Sequence, residues 1–382
     1  MITRPLIIFL FILCLITWGT QLSAKTESDD GLNKVMTQIG NVMVELFPLV
    51  FTDNILTSQQ NQKIRLLANQ LKVLFKNARP YIRKKSPTYQ MSYRLITDYL
   101  EAVVNTDNPF STEQVKSRLS TLSDFCISCH MQDDKFRTLF GDTKKKLFNS
   151  ALARAEFNYA TRNYSQAHEH YEKHLIFSPK LNDNDILKGI FKILSIYTQI
   201  LNQPAKAVDA LNRLQKEKAF SKEVTKYITD AKRALNDLQA SDTNDTDLLA
   251  YNDIEKFVAL YLGGVNAQQG IIFSTTQEEV QRLWLRGQLF RYLNNKPKAN
   301  EIPNILYWLA LCDRSLGHGY DYTLADFYIK QCIIRYSSHP IAQQCFDEHK
   351  EYLKFYYTTP TEPVLPFEVN NELKKLERYL HP

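Results

Sequence analysis

Glycine is scarce in this chain, 11 in 382 residues, and no cluster of it forms a loop able to cradle a phosphate. No G-x-S-x-G elbow presents a nucleophilic serine, and no pair of side chains stands out as a general acid and base. Beyond the first two dozen residues no apolar run is long enough to cross a bilayer, so no membrane span is expected in the mature chain. No basic-aromatic recognition motif supports nucleic acid as a partner. The formal charge is +6; Arg4 is the only charge in the first 24 residues, so removing them leaves about +5. Aromatic residues are plentiful, 21 Tyr and 21 Phe, but at helical spacing they serve mainly as core.

Only six cysteines are present, and two of them fall in Cys126-Ile127-Ser128-Cys129-His130. C-x-x-C-H is the attachment sequence of c-type haem. The two thiols add across the haem vinyl groups, and the adjacent histidine supplies the proximal ligand to the iron. Zinc would need a fourth ligand at a recognisable spacing, and no Cys or His cluster nearby offers one. A redox C-x-x-C would follow a strand and open a helix, a context missing here. One covalent haem c is therefore the expected cofactor. His168, His170 and His174 lie at ligand-like spacing, but three polar histidines on one helix read first as surface residues.

The N-terminus agrees with export. Arg4, an apolar run from Leu6 to Trp18 and the end Gln21-Leu22-Ser23-Ala24 have the layout of a secretory signal peptide over residues 1–24. An uncleaved membrane anchor is the alternative. Cys14 lacks the small neighbours of a lipoprotein signal, so no lipid anchor is expected. Because bacteria complete c-type attachment outside the cytoplasm, the mature chain reads as periplasmic.

Four helical stripes lead up to the motif. Leu32, Val35, Met36, Ile39, Met43 and Leu46 share one face of a first helix. Ile64, Leu67, Leu71, Leu74 and Ala78 form a second, opened by a Thr57–Gln60 capping box and ended with the help of Pro80. Tyr89, Tyr93, Ile96, Leu100 and Val103 form a third, stopped near residues 105–109. Ser111 with Gln114 caps a fourth, running to about Met131 with Val115, Leu119, Leu122, Cys126 and Cys129 on its seam. Short connections favour an up-down-up-down four-helix bundle over residues 25–146. Basic residues follow at Lys135, Arg137, Lys144, Lys145 and Lys146, either steering an acidic redox partner or forming a solvated face.

This segment resembles the cytochrome c′ and c-556 family, four-helix bundles with C-x-x-C-H late in the last helix. The resemblance rests on Cys126 and Cys129 at the thioether positions, on His130 as proximal ligand, and on Met36-Thr37-Gln38-Ile39-Gly40-Asn41-Val42-Met43 in the first helix. It covers about a hundred residues, whereas a usual member of the family ends soon after the motif. It implies a distal residue at Met36, three positions before the Ile39-Gly40 pair. The helix rise agrees, since Met36 stands one turn into helix 1, at the end the motif approaches. Met43, about 10 Å farther along, is the alternative distal ligand. Met36 as ordinary core is the other reading, and it would leave the iron open to small gases.

Residues 147–238 change to a helix-turn-helix rhythm resembling tetratricopeptide (TPR) repeats. Ala155, Phe157, Ala167, Tyr171, Leu175 and Pro179 mark one unit, and Ser195, Ala207, Leu211 and Leu214 a looser second between Ile186 and Phe220. Residues 239–248 read as a polar linker. A helical, repeat-like domain is expected over 249–360, with a turn near Gly263-Gly264 and a third unit from Ile302 to Pro340 that has Ala310 and Ala325 at its small positions, and a tail over 361–382 closed by a short helix near Glu372 to Tyr379. Such a solenoid offers a concave face to a protein partner, or it extends the molecule or pairs it with itself.

Of the three cysteines left, Cys332 and Cys345 lie about equally far from the turn at Ser337–Pro340 and are expected to pair. Cys312 is offset by roughly 9 Å from the position facing Cys332. The expected fold is all-α: a four-helix bundle carrying haem c, followed by a TPR-like α-solenoid. The expected function is electron transfer with the solenoid docking a partner, a carrier rather than a catalyst. The alternatives are a five-coordinate binder of NO or CO and an interaction scaffold with a structural haem.

Overall fold

The computed structural model of the chain describes residues 31–52, 54–83, 87–104, 112–130, 148, 150–179, 181–240, 249–263, 274–295, 297–316, 324–359 and 361–381. Among them every regular element is a helix and no strand occurs. Helix α1 spans residues 31–50 and buries Leu32, Ile39, Met43, Leu46 and Phe47, leaving Val35 and Met36 half-buried. Helix α2 (Ser58–Ile82) opens on the expected reciprocal box between Thr57 and Gln60. Pro80, expected to help end this helix, lies inside it instead. The position is exposed, so the carbonyl deprived of its donor can turn to water.

Helices α1, α2 and α3 (Pro87–Val104) run alternately up and down. Lys63 reaches back to Glu45 at 2.9 Å, and Lys76 meets Glu101 at 2.8 Å. The Gln90 amide donates to the Arg83 carbonyl across the α2–α3 turn at 3.3 Å. Leu32, Ala78 and Ile82 gather at one end with Val35, Met36, Tyr81, Tyr89 and Tyr93 around them.

The fourth expected helix is two, α4 (Thr112–Ser120) and α5 (Leu122–His130), divided at Thr121. The Tyr99 phenol donates to the Arg118 carbonyl, and the Thr121 hydroxyl reaches the same oxygen at 2.8 Å. That carbonyl would otherwise serve the N–H four residues on, so the ladder is interrupted there. Its expected cap, Ser111, lies outside the described residues.

The remaining helices pack mostly as neighbours in sequence. They are α6 (Ala151–Ala160), α7 (Tyr164–Phe177), α8 (Asp183–Leu194), α9 (Pro204–Glu217), α10 (Lys222–Ala240), α11 (Tyr251–Leu262), α12 (Thr276–Asn294), α13 (Ile302–Ser315), α14 (Leu324–Arg335), α15 (Ile341–Tyr357) and α16 (Phe367–Leu380). Each expected repeat unit is a helix pair: α6 with α7, α8 with α9, and α13 with α14. Ala155, Ala167, Ala207, Ala310 and Ala325, chosen as small contact positions, are fully buried. Ser195 instead opens a π-helical turn, Ser195–Ile200, that continues α8. This turn lies so close to α12 that a Cβ on Gly287 would stand 2.3 Å from the Gln199 carbonyl oxygen. The short helix expected near Glu372 to Tyr379 is α16, which starts five residues earlier and buries Leu373 and Leu376 against α14 and α15.

One apolar core runs from Ile39 in α1 to Leu376 in α16. The Phe47 ring meets the edge of Phe157 in α6 at 6.3 Å, joining the helices before the motif to those after it. Leu46, Ile64, Leu71, Leu100, Leu119 and Leu122 are all shut off from solvent. Each such side chain contributes about 1.5–3 kcal/mol on burial, and truncating Leu100 to Ala should cost about 2–5 kcal/mol.

Cys332 and Cys345 form a disulfide between α14 and α15, Cα to Cα 6.4 Å, in keeping with their placement about the turn. Cys312 is buried apart from it on α13, and burial pushes its thiol pKa far up.

Candidate functional site

Helix α5 carries the motif in its last turn and is held on two sides. Along α3, the Phe125 ring packs on Tyr99 at 4.5 Å between centroids. Cys126 is 5% exposed and belongs to the main core, on the same seam as Leu122 and Phe125. The backbone from Ile127 to His130 is helical, so Cys129 follows Cys126 by just under one turn. The side chains of Ile127, Ser128, Cys129 and His130 lie outside the described residues.

The direction of α5 follows from the contacts around it. Lys116 of α4 donates to the Thr52 carbonyl, just past the C-terminal end of α1. Thr121 and Phe125 then stand at the level of Tyr99. Five more residues carry the helix about 7.5 Å farther, toward the end where Leu32, Met36 and Tyr93 gather. Met36 is half-buried there, touching both the main core and the Leu32 cluster. Met43 is 3% exposed, deeper in the core and two turns nearer the other end.

The other side of α5 bears on charge. Ser123 donates its hydroxyl to Glu156 of α6, and Asp124 pairs with Lys192 of α8. Lys192 also stands 3.7 Å from Glu156, so one ammonium faces two carboxylates. The Lys192 side chain is 14% exposed and that of Glu156 only 5%, while Asp124 at 41% reaches the surface. Burial raises the pKa of Glu156, although Lys192 pulls the other way. Burial alone would lower that of Lys192, but Asp124 and Glu156 outweigh it and hold the ammonium charged. Lys192 also lies 4.7 Å above the ring of Tyr159, whose hydroxyl meets Ser195 at 3.1 Å. Sequence reasoning missed this cluster. Its signal was a lone Glu between Ala155 and Phe157, and a lone Lys between Phe191 and Ile193.

Helices α6 and α8 meet α5, and the π-helical turn meets α12, where Arg291 donates to the Gln199 and Ile200 carbonyls at 3.0 Å.

Two of the three histidines of α7 are not surface residues. His170 and His174 are buried, and His174 Nδ1 lies 2.9 Å from the Ser178 hydroxyl. His168 turns instead to Glu172 at 3.6 Å and to the Tyr197 ring. Among the described residues no group of three His, Cys, Asp or Glu side chains is placed to hold a metal ion, and no helix is long and apolar enough to cross a membrane. The basic residues from Lys135 to Lys146, the leader and the 241–248 part of the linker lie outside the described residues.

Comparison of the chain with protein-family models, with curated proteins and with solved structures finds no match. The resemblance to cytochrome c′ and to tetratricopeptide repeats therefore stands on the residues quoted for it.

Proposed function

We propose that the chain is an exported, periplasmic, monohaem c-type cytochrome that carries electrons between protein partners. In this reading α1, α2, α3 and the α4–α5 pair are the four-helix haem bundle, and the helix pairs after it are a TPR-like solenoid. The observation that carries the proposal is C-x-x-C-H in the last turn of a helix whose first cysteine is buried on an apolar seam. The donor set fits a haem: two thiols one turn apart, an imidazole beside the second, and a thioether half-buried at the end the helix approaches. When bound, the haem would supply one-electron exchange at its iron.

The protein's own residues then have separate roles. Cys126 and Cys129 hold the group covalently, His130 is its proximal ligand, and Met36 is its distal ligand, with Met43 the alternative. Tyr99 and Phe125 pack the preceding turn of α5 and keep water from that side of the seam. With Met36 as a ligand, electron transfer would be favoured over gas binding. In this reading the solenoid docks the partner, on surface of α6 and α8 that their contacts with α5 leave free.

The test is to express the full chain with a c-haem maturation system and denature it. One haem should stay attached in the wild type and none in the Cys126→Ala/Cys129→Ala variant; a colourless wild type refutes the proposal. In the same preparation Met36→Ala should open the iron to CO. If Met43→Ala does so and Met36→Ala does not, the distal ligand is Met43.

A further inference from the structure

The haem reading of α5 gives no role to one feature, the buried carboxylate of Glu156 behind that helix. Ser123, which donates to it, lies seven residues before His130 on the same helix, two turns or roughly 10 Å along the axis. Charge at Glu156 is therefore near any charge held at the end of α5, and the Glu156 side chain, 5% exposed, is itself little screened by water. With both carboxylates ionised the cluster carries −2 + 1 = −1, and with one protonated it is neutral.

We propose that Glu156 is a redox-linked proton site, holding a proton on its carboxylate when α5 carries a reduced haem and releasing it on oxidation. When bound, the haem iron would gain one negative charge with each electron. One electron comes from a one-electron donor protein, and one proton comes to Glu156 from water. On oxidation the electron passes to a one-electron acceptor and the proton returns to water. Only the O–H bond of Glu156 forms and breaks.

The surroundings suit a proton site. The groups facing Glu156 are Ser123 and Asp124 from α5, Tyr159 from α6 itself, Tyr171 from α7 and Lys192 from α8. Arg286 of α12 and Asp313 of α13 form a further buried pair that neutralises itself. Both phenols stay protonated, since burial drives their pKa values up, and Lys192 stays charged. Among the buried members of the cluster, Glu156 is thus the one whose charge can change. Burial already favours its neutral form, and an added negative charge near His130 favours it further. Half-exposed Asp124, paired with Lys192, connects the site to solvent.

The experiment is the equilibrium reduction potential of the full-length holoprotein from about pH 5 to 9. In the wild type the potential should fall as pH rises through the window where Glu156 loses its proton. One proton per electron changes the equilibrium up to tenfold per pH unit, about 59 mV. Glu156→Gln should abolish that fall. Ser123→Ala should move the window to higher pH, because the lost hydroxyl favours the ionised carboxylate. A wild-type potential that ignores pH overturns the proposal, as does an equal slope in Glu156→Gln. If Glu156→Gln does not fold, Ser123→Ala decides, and an unmoved window is the overturning result. A protein that retains no haem after denaturation refutes the haem reading first and takes this inference with it.

Discussion

Two buried clusters in this protein share a formula, one cation facing two carboxylates, and differ in nearly everything else. At the motif helix, Lys192 faces Asp124 and Glu156. At the other end, Arg314 of α13 meets Asp326 of α14 at 3.4 Å and Glu348 of α15 at 3.2 Å. Arg314 also lies 4.0 Å over the Tyr352 ring and donates toward His349 Nδ1 at 3.3 Å. A guanidinium is a planar fork with five donors and can serve all these partners at once, whereas an ammonium is a point charge. The second cluster is therefore a many-sided joint, and the Cys332–Cys345 bridge closes the same helices covalently. The first has a carboxylate sealed from water with a single shared cation. A guanidinium with many partners ties several helices together, whereas Glu156 has one shared ammonium to set against its burial.

If the two clusters differ in this way, losing the shared cation should be the costliest change. Lys192→Met leaves Asp124 and Glu156 without their cation and should cost about 3–5 kcal/mol, read as a lowered urea midpoint at neutral pH. The loss should shrink at acidic pH, where Glu156 can be neutralised by a proton instead. Equal losses at both pH values would show that the carboxylate is not the group left stranded.

Next in size is the disulfide. It closes a loop with a sequence separation of 13 residues, so Cys332→Ala/Cys345→Ala should cost about 3 kcal/mol. If the Arg314 joint holds α13, α14 and α15 by itself, the variant will unfold in a single transition with only its midpoint lowered. A separate early transition would mean that the covalent link holds these helices and the ion cluster does not.

The smallest effects concern pH, and the two clusters should give opposite signs. Glu156 has a folded-state pKa raised above the ordinary 4.5 by burial, despite Lys192. Its contribution to stability is full below the unfolded value and is lost as pH rises through the raised one. Burial, helped by Arg314 and Lys330, holds His349 well below 6.5. Its protonation in the unfolded chain therefore costs stability as pH falls below about 6.5. Each arm is worth at most about 1.4 kcal/mol per pH unit. In urea titrations from about pH 5 to 8, Glu156→Gln should flatten the alkaline arm and His349→Gln the acidic one. An acidic arm that persists in His349→Gln would move its origin to another group.

What could be read ahead of the structure was local. The four stripes up to Cys129 depend on a 3.6-residue period within each segment, and Thr57 with Gln60 caps α2 as that pairing suggests. Cys332 and Cys345 could be paired because the intervening turn sets both heights. The interruption at Thr121 was not legible, since its cause is the phenol of Tyr99, 22 residues away. Nor was the extent of α16, whose polar, short pattern gains its helix by burying Leu373 and Leu376 on helices met earlier. Lys192 and Glu156 left only a faint trace, one charge each within an apolar stripe.

Residue type and spacing over one or two turns are enough to make this chain helical, to set where its helices carry their apolar faces, and to put the C-x-x-C-H motif on one of them. Packing across the described helices settles the rest: the motif helix is clamped between α3 and α6, α8 reaches it through Lys192, and that one lysine serves two acids. Those outcomes depend on which distant segments share one core, and on burial that raises the pKa of a lone glutamate. Neither condition can be counted from spacing along the chain.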